Sequence, residues 1–249
     1  MSDDSMTGQV IVVTGASSGI GRAIAIDLAG RGAHVVATAR STDRLAATVV
    51  SITDAGGSAQ AILCDVTSAA DVHRLFTEVD RTHGRIDALV NNAGIVAPAA
   101  IDEMTTEDWR TVIDVNLTGP FLCTRGAFAI MKRNGGGRIL NIGSISASVP
   151  RPNSANYAAS KAGLVGLTRA TAIEGRPHGI AAGCLHPGNV ATEMRLGEEP
   201  EGAEGWNAEP MMTTEQVARA AALMLNVEQG TTAYELTILP IEQDFLGRG

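Results

Sequence analysis

Aromatic side chains are scarce in this sequence: two Trp, two Tyr and four Phe, 3% of 249 residues. The interior must therefore rest on closely packed Ala, Val, Ile and Leu. Cysteine is scarce too. Cys64, Cys123 and Cys184 are odd in number, widely spaced and form no CxxC pair. That argues against a disulfide framework or a thiolate zinc site, fits a reducing compartment, and leaves three small buried hydrophobes as the expectation. Positive charge is in deficit, with 19 Lys and Arg against 27 Asp and Glu and a net charge of −8. Nucleic acid and anionic membrane therefore find no basic footprint. No apolar run approaches the roughly 20 residues needed to span a bilayer. The opening MSDDSMTGQ is acidic and polar, unlike a signal peptide. A soluble cytoplasmic protein is expected. His34, His73, His83, His178 and His186 show no ligand spacing, so no metal is expected.

What the chain has is aliphatic residues and glycine: 45% hydrophobic and 28 Gly. Short β-branched runs at Val10–Val13, Ala33–Thr38, Ala59–Cys64, Ala88–Asn91, Arg138–Ile142, Ala182–Leu185 and Tyr234–Leu239 alternate with helical stretches. Ser68 with Asp71, Thr105 with Asp108, and Thr213 with Gln216 read as helix starts. Seven strands alternating with helices predict parallel βαβ units. The expected fold is α/β, a single doubly wound Rossmann-type domain over residues 1–249 with a seven-stranded parallel sheet flanked by helices. Residues 1–7 are expected to be a flexible N-terminus and 240–249 a C-terminal tail. Residues 193–212, rich in Glu, Gly and Pro, are expected to form a substrate lid at the C-terminal edge of the sheet.

Thr14-Gly15-Ala16-Ser17-Ser18-Gly19-Ile20-Gly21 follows the first strand and opens a helix. Glycine permits the sharp turn and a close backbone approach to a pyrophosphate, which the helix N-terminus then binds. The same residues contain Gly15-x-Ser17-x-Gly19, the pattern of a serine-hydrolase elbow. That reading is disfavoured: the serine sits on the first strand, no HGG precedes it, and two elements still follow the last histidine, His186.

Tyr157 and Lys161 lie one helical turn apart, on one face. A free phenol has a pKa near 10. A cation about 4 Å away, at a surface-like dielectric, is worth roughly 4 kcal/mol before desolvation losses. That can bring the phenol into general acid/base range. Val112 to Pro120 reads as helix interrupted by Asn116, Gly119 and Pro120, and rules broken together often mark a working site.

With these motifs in order, the chain resembles the short-chain dehydrogenase/reductase family over residues 8 to about 240. Gly15, Gly19 and Gly21, with Ser17, Ser18 and Ile20, match the family's cofactor turn. Asp65-Val66 matches its adenine contact, and Asn92-Ala93-Gly94 its strand-four motif. Ser144, thirteen residues before Tyr157, matches its active-site serine. Pro187-Gly188, with Val190 and Thr192, matches its nicotinamide-side loop. The resemblance implies Asn116, Ser144, Tyr157 and Lys161 as catalytic residues, with Tyr157 and Lys161 also touching cofactor. Asn116 would hold a water for proton relay, and Lys161 the nicotinamide ribose. It also implies a homotetramer, with a homodimer as the alternative. The chain departs from the family at Gly183, where an Asn is usual, and in lacking a late Asp-Gly-Gly. Its apolar Phe245-Leu246 would either dock on a neighbouring subunit or fray.

The expected function is hydride transfer between a nicotinamide cofactor and a free small-molecule ketone/alcohol pair. A catalytically silent nucleotide sensor is the other class left open. Arg40 lies 19 residues beyond Gly21, about where a carboxylate would select NAD or a guanidinium NADP. NADP is expected, with NAD as the alternative.

Overall fold

The computed structural model describes residues 5–194 and 209–245. Seven strands form one parallel sheet: β1 (Val10–Thr14), β2 (His34–Ala39), β3 (Ser58–Leu63), β4 (Ala88–Asn91), β5 (Gly137–Ile142), β6 (Ile180–Pro187) and β7 (Glu235–Ile238). Their order is β3-β2-β1-β4-β5-β6-β7. All seven strands coincide with expected ones. The largest shift is in β6, which extends two residues beyond the expected Ala182–Leu185 at each end. The helices are α1 (Gly19–Gly30), α2 (Thr42–Asp54), α3 (Ala69–His83), α4 (Thr106–Ile113), α5 (Gly119–Arg133), α6 (Ala155–Gly175) and α7 (Thr214–Leu225).

The five inner strands are buried on both faces, and period 2 sorts their side chains. On β1, Ile11 and Val13 face Ile24 and Leu28 of α1 and Val217 and Ala221 of α7. Val10 and Val12 face the opposite way, toward Leu75, Phe76 and Val79 of α3 and Leu122 of α5. The three cysteines are buried and unpaired. Burial pushes the thiols of Cys64 and Cys184 up to about 11, and that of Cys123 higher still, so none is a thiolate at neutral pH.

Several local expectations are corrected. Met6, inside the stretch expected to be flexible, is fully buried, and its N–H reaches the Arg31 carbonyl at 2.8 Å. Ser68 caps α3 by accepting from the Asp71 N–H at 3.2 Å, but the Asp71 carboxylate turns to the Asp65 N–H and Arg74, so only half a capping box forms. Thr213 and Gln216 form the full box. The interrupted helix is a π-helical turn, Asp114–Thr118, between α4 and α5. Pro120, four residues after Asn116, has no N–H to give the Asn116 carbonyl, so the α-helical ladder cannot run through. At Gly183 a side chain would collide with the Ala233 carbonyl, which explains the departure from Asn.

The order reverses at β1, which has β2 on one side and β4 on the other. Such a switch point leaves a crevice at the carboxyl ends of the strands, where ligands bind.

Candidate active site

Thr14, the last residue of β1, ties that crevice together. Its hydroxyl donates to the Val90 carbonyl at 3.3 Å and accepts the N–H of Asn92 at 3.0 Å and of Ala93 at 3.1 Å. The Asn92 amide donates to the Thr14 carbonyl at 3.0 Å. The Gly-rich turn is thus pinned to the end of β4. Gly15 has φ +66, and a Cβ there would lie 2.9 Å from the Ala93 Cα. A Cβ on Gly21 would overlap the Gly15 carbonyl oxygen. Only glycine fits at either position.

These residues border a cleft of about 800 Å³. One end is lined by Gly15, Ser17, Ser18, Gly19 and Ile20, with Arg40, Ser41, Arg44, Asp65 and Val66 beside them. Helix α1 starts there with no side-chain cap from Ser18 and no acid in its first turn, so its N–H groups remain for an anion. The other end is lined by Gly94, Ser144, Tyr157, Lys161, Pro187, Gly188 and Val190, with Asn92, Ala93 and Thr192 between the two, beside Gly15 and Gly19. A glycine-rich cradle, an uncapped helix start and a cationic corner at one end fit the pyrophosphate and adenosine of a dinucleotide. Of the expected site residues, only Gly21 and Asn116 stand behind the wall rather than in it.

A buried polar ladder sets the catalytic end. Asn91 of β4 donates to the Asn141 side chain of β5 at 2.9 Å and to Thr124 at 3.1 Å. Asn141 donates to Thr168 of α6 at 2.8 Å. Leaving one such group unsatisfied costs about 1–3 kcal/mol, so the ladder fixes β4, β5 and α6 in register. Ser144 follows β5; its Oγ accepts the Ser146 N–H at 3.1 Å and keeps its own proton to donate. His186 is buried with Nδ1 3.1 Å from the Ser144 carbonyl, so it braces the serine's backbone. Tyr157 and Lys161 project from the first turns of α6. Lys161 is buried, its Nζ donating to the Ile142 carbonyl at 2.8 Å and lying 5.5 Å from the Tyr157 ring centre. Two ammonium N–H groups remain.

The π-helical turn carries Asn116 to the back of this end. Its amide donates to the Ile95 carbonyl at 2.9 Å and to Ser160 at 3.2 Å, and its oxygen accepts the Ile95 N–H at 2.9 Å. The side chain is fully engaged with protein, so any water would be held by its main chain.

Arg40 stands just past β2, largely exposed, 3.9 Å from the Asp65 carboxylate. Arg44, missed in the sequence, lines the same corner from the first turn of α2 and pairs with Glu193 at 3.1 Å. Its signal was its place one turn beyond Arg40. Asn153 at φ +58 is the one non-glycine residue in the left-handed region among the described residues, and it lines the cleft. Arg151 and Asn189 were also missed. Arg151 donates to Glu209 at 2.7 Å and to the Asn189 side-chain oxygen at 3.0 Å. Of the expected lid, Glu193, Met194 and residues 209–212 are described, and 195–208 lie outside the described residues. Met212, the last residue of the expected lid, bridges to Val190, three residues before its start. Phe245 is half-buried on its own chain, and Leu246 lies outside the described residues.

Comparison with known proteins gives the same picture. Residues 9–201 match the family described as short chain dehydrogenase. A 3-oxoacyl-[acyl-carrier-protein] reductase of Synechocystis sp. is 41% identical, covering 86% of this chain and 84% of the relative. A 3beta-hydroxysteroid dehydrogenase of Mediterraneibacter gnavus is 40% identical, covering 75% and 67%. The crystal structure of a gluconate 5-dehydrogenase from Burkholderia cenocepacia, in complex with NADP and tartrate, superposes with a TM-score of 0.87. It is 29% identical and covers 96% of each chain. Among the described residues, no helix is long and apolar enough to cross a membrane. Motifs, sheet order and relatives agree: the chain belongs to the short-chain dehydrogenase/reductase family of oxidoreductases.

Proposed function

We propose that the cleft binds NADP(H) and that the protein interconverts a free small-molecule ketone and its alcohol. The observation that carries the reading is the meeting, in one cleft, of a glycine cradle with Ser144, Tyr157 and Lys161. Bound there, the nicotinamide would supply or accept the hydride. In reduction, Ser144 hydrogen-bonds the carbonyl oxygen and Tyr157 donates a proton to it. The buried Lys161 ammonium stabilises the negative charge left on the phenol, and its two remaining N–H groups hold ribose hydroxyls and a relay water. Asn116 presents its main chain to that water. NAD(H) is the alternative, favoured by the Asp65 carboxylate beside Arg40.

The name of the Synechocystis relative offers a carrier-bound substrate instead. The net charge of −8 opposes docking of an acidic carrier. Local repulsion near the lid is weaker than the sequence implies. Two of its six acids, Glu193 and Glu209, are neutralised by Arg44 and Arg151, and the other four lie outside the described residues. Consumption of reduced cofactor, followed by absorbance over a panel of ketones, tests the reading. The panel includes a small β-ketoacyl thioester and its carrier-bound form. Oxidation with free carbonyls is expected, and faster turnover on the thioester than on the carrier form. Faster turnover on the carrier form refutes the substrate class, and silence across the panel favours the sensor.

We also propose a homotetramer paired through the helices around Asn116 and Tyr157. Exposed Trp109 on α4, Phe121 on α5 and Ile173 on α6 support it. A light-scattering mass near that of one chain rejects it.

A further inference from the structure

The turn that closes the catalytic end, Pro187–Asn189, lines the cleft with its front. Behind it stands Gln243, from the segment after β7, 8% exposed. Its Oε1 accepts the Asn189 N–H at 2.8 Å. A Cβ on Gly188 would overlap that oxygen, so the turn has glycine where the glutamine arrives. Only the oxygen of the amide can accept from an N–H, which fixes its orientation and leaves Nε2 buried without a partner among the described residues. A buried donor left unpaired is a standing cost, so the acceptor bond to Asn189 is what this residue contributes. The Asn189 side chain is held separately, by Arg151 at 3.0 Å and by Glu209 at 2.6 Å.

We infer that Gln243 is a positioning residue for the nicotinamide half of the cofactor, supplied by the chain's own C-terminal segment. The inference rests on the proposed dinucleotide site. Gln243 fixes the main chain of the turn from behind, and the turn then presents a set surface to whatever lies in front. The effect is confined to one end of the cleft. The strand carrying the turn is four places from the strand carrying Arg40, about 19 Å at roughly 4.8 Å per strand.

Gln243→Met removes the acceptor at similar volume. It also removes the unpaired Nε2, which offsets part of the loss in stability. Binding of NADPH and of adenosine 2′,5′-bisphosphate, which lacks nicotinamide, is measured by calorimetry on the full chain. NADPH is expected to weaken about fivefold, the loss of one ordinary hydrogen bond, while the bisphosphate stays within about twofold. Unchanged NADPH binding, or equal loss of both ligands, overturns the inference. Gln243→Leu takes the place of the methionine variant if that one does not fold. If wild type prefers NADH, the ligands are NADH and ADP-ribose. Wild type binding no dinucleotide overturns the proposed site, and this inference with it.

Discussion

Tyr157→Phe is expected to lower turnover by about 10²–10⁴-fold, the usual contribution of a positioned general acid, while cofactor affinity stays nearly intact. The substitution removes one oxygen. The ring stays in place on α6, and Lys161 keeps its 2.8 Å bond to the Ile142 carbonyl. The glycine cradle and the start of α1 are untouched, so the ground-state hold on the cofactor does not change. An interaction made only in the transition state shows this signature, kcat falling without a matching change in binding. Steady-state rates with any active ketone, beside a fluorescence titration of the reduced cofactor, measure both quantities. Turnover within tenfold of wild type sinks the assignment of Tyr157 as acid.

Arg40→Asp is expected to reverse the cofactor preference. The corner beyond β2 holds Arg40, Ser41 and Arg44. A guanidinium there meets a 2′-phosphate with charge-assisted bonds worth roughly 1.5–3 kcal/mol, or about 10- to 150-fold in affinity. A carboxylate repels the phosphate and accepts from a 2′-hydroxyl. Arg44 is one turn away and held by Glu193, so part of the attraction survives the substitution and the reversal falls toward the lower part of that range. The ratio of NADPH to NADH dissociation constants, before and after, decides the matter. Equal affinities in wild type, or a ratio the substitution does not move, defeat the claim.

The fold was readable in the sequence because its signals are local. The five inner strands are rich in β-branched or small apolar residues buried on both faces, the edge strands β3 and β7 are only half-buried, and each strand carries its pattern within four to eight residues. The glycine turn, Ser144 and the Tyr157–Lys161 pair were readable for the same reason. So was the fault at Asn116, although a π-helical turn could not be told from a simple break, because both follow from a missing N–H at Pro120. What stayed hidden depends on residues brought together across the fold. Arg151 and Glu209 are 58 residues apart, and Gln243 meets Asn189 across 54. No periodicity marks such pairs. Arg44 was hidden differently: an arginine on the first turn of a helix reads as a solvated side chain until the cleft beneath it is seen.

The knot of hydrogen bonds around the Thr14 hydroxyl has a consequence for how the protein comes into being. It joins residues 76 to 79 positions apart, across the strand pair from which the sheet grows in both directions. Closing so long a loop is slow, and its entropy is lost before any contact compensates for it. The cradle and the catalytic end belong to opposite sides of that seam. A nascent chain that has folded only its first three strands holds a glycine turn tied to β2 and α2 through Ala16 but not to β4, and no competent site. The binding site is therefore complete only when the central strands are paired, and ligand binding reports assembly of the whole sheet rather than of either half.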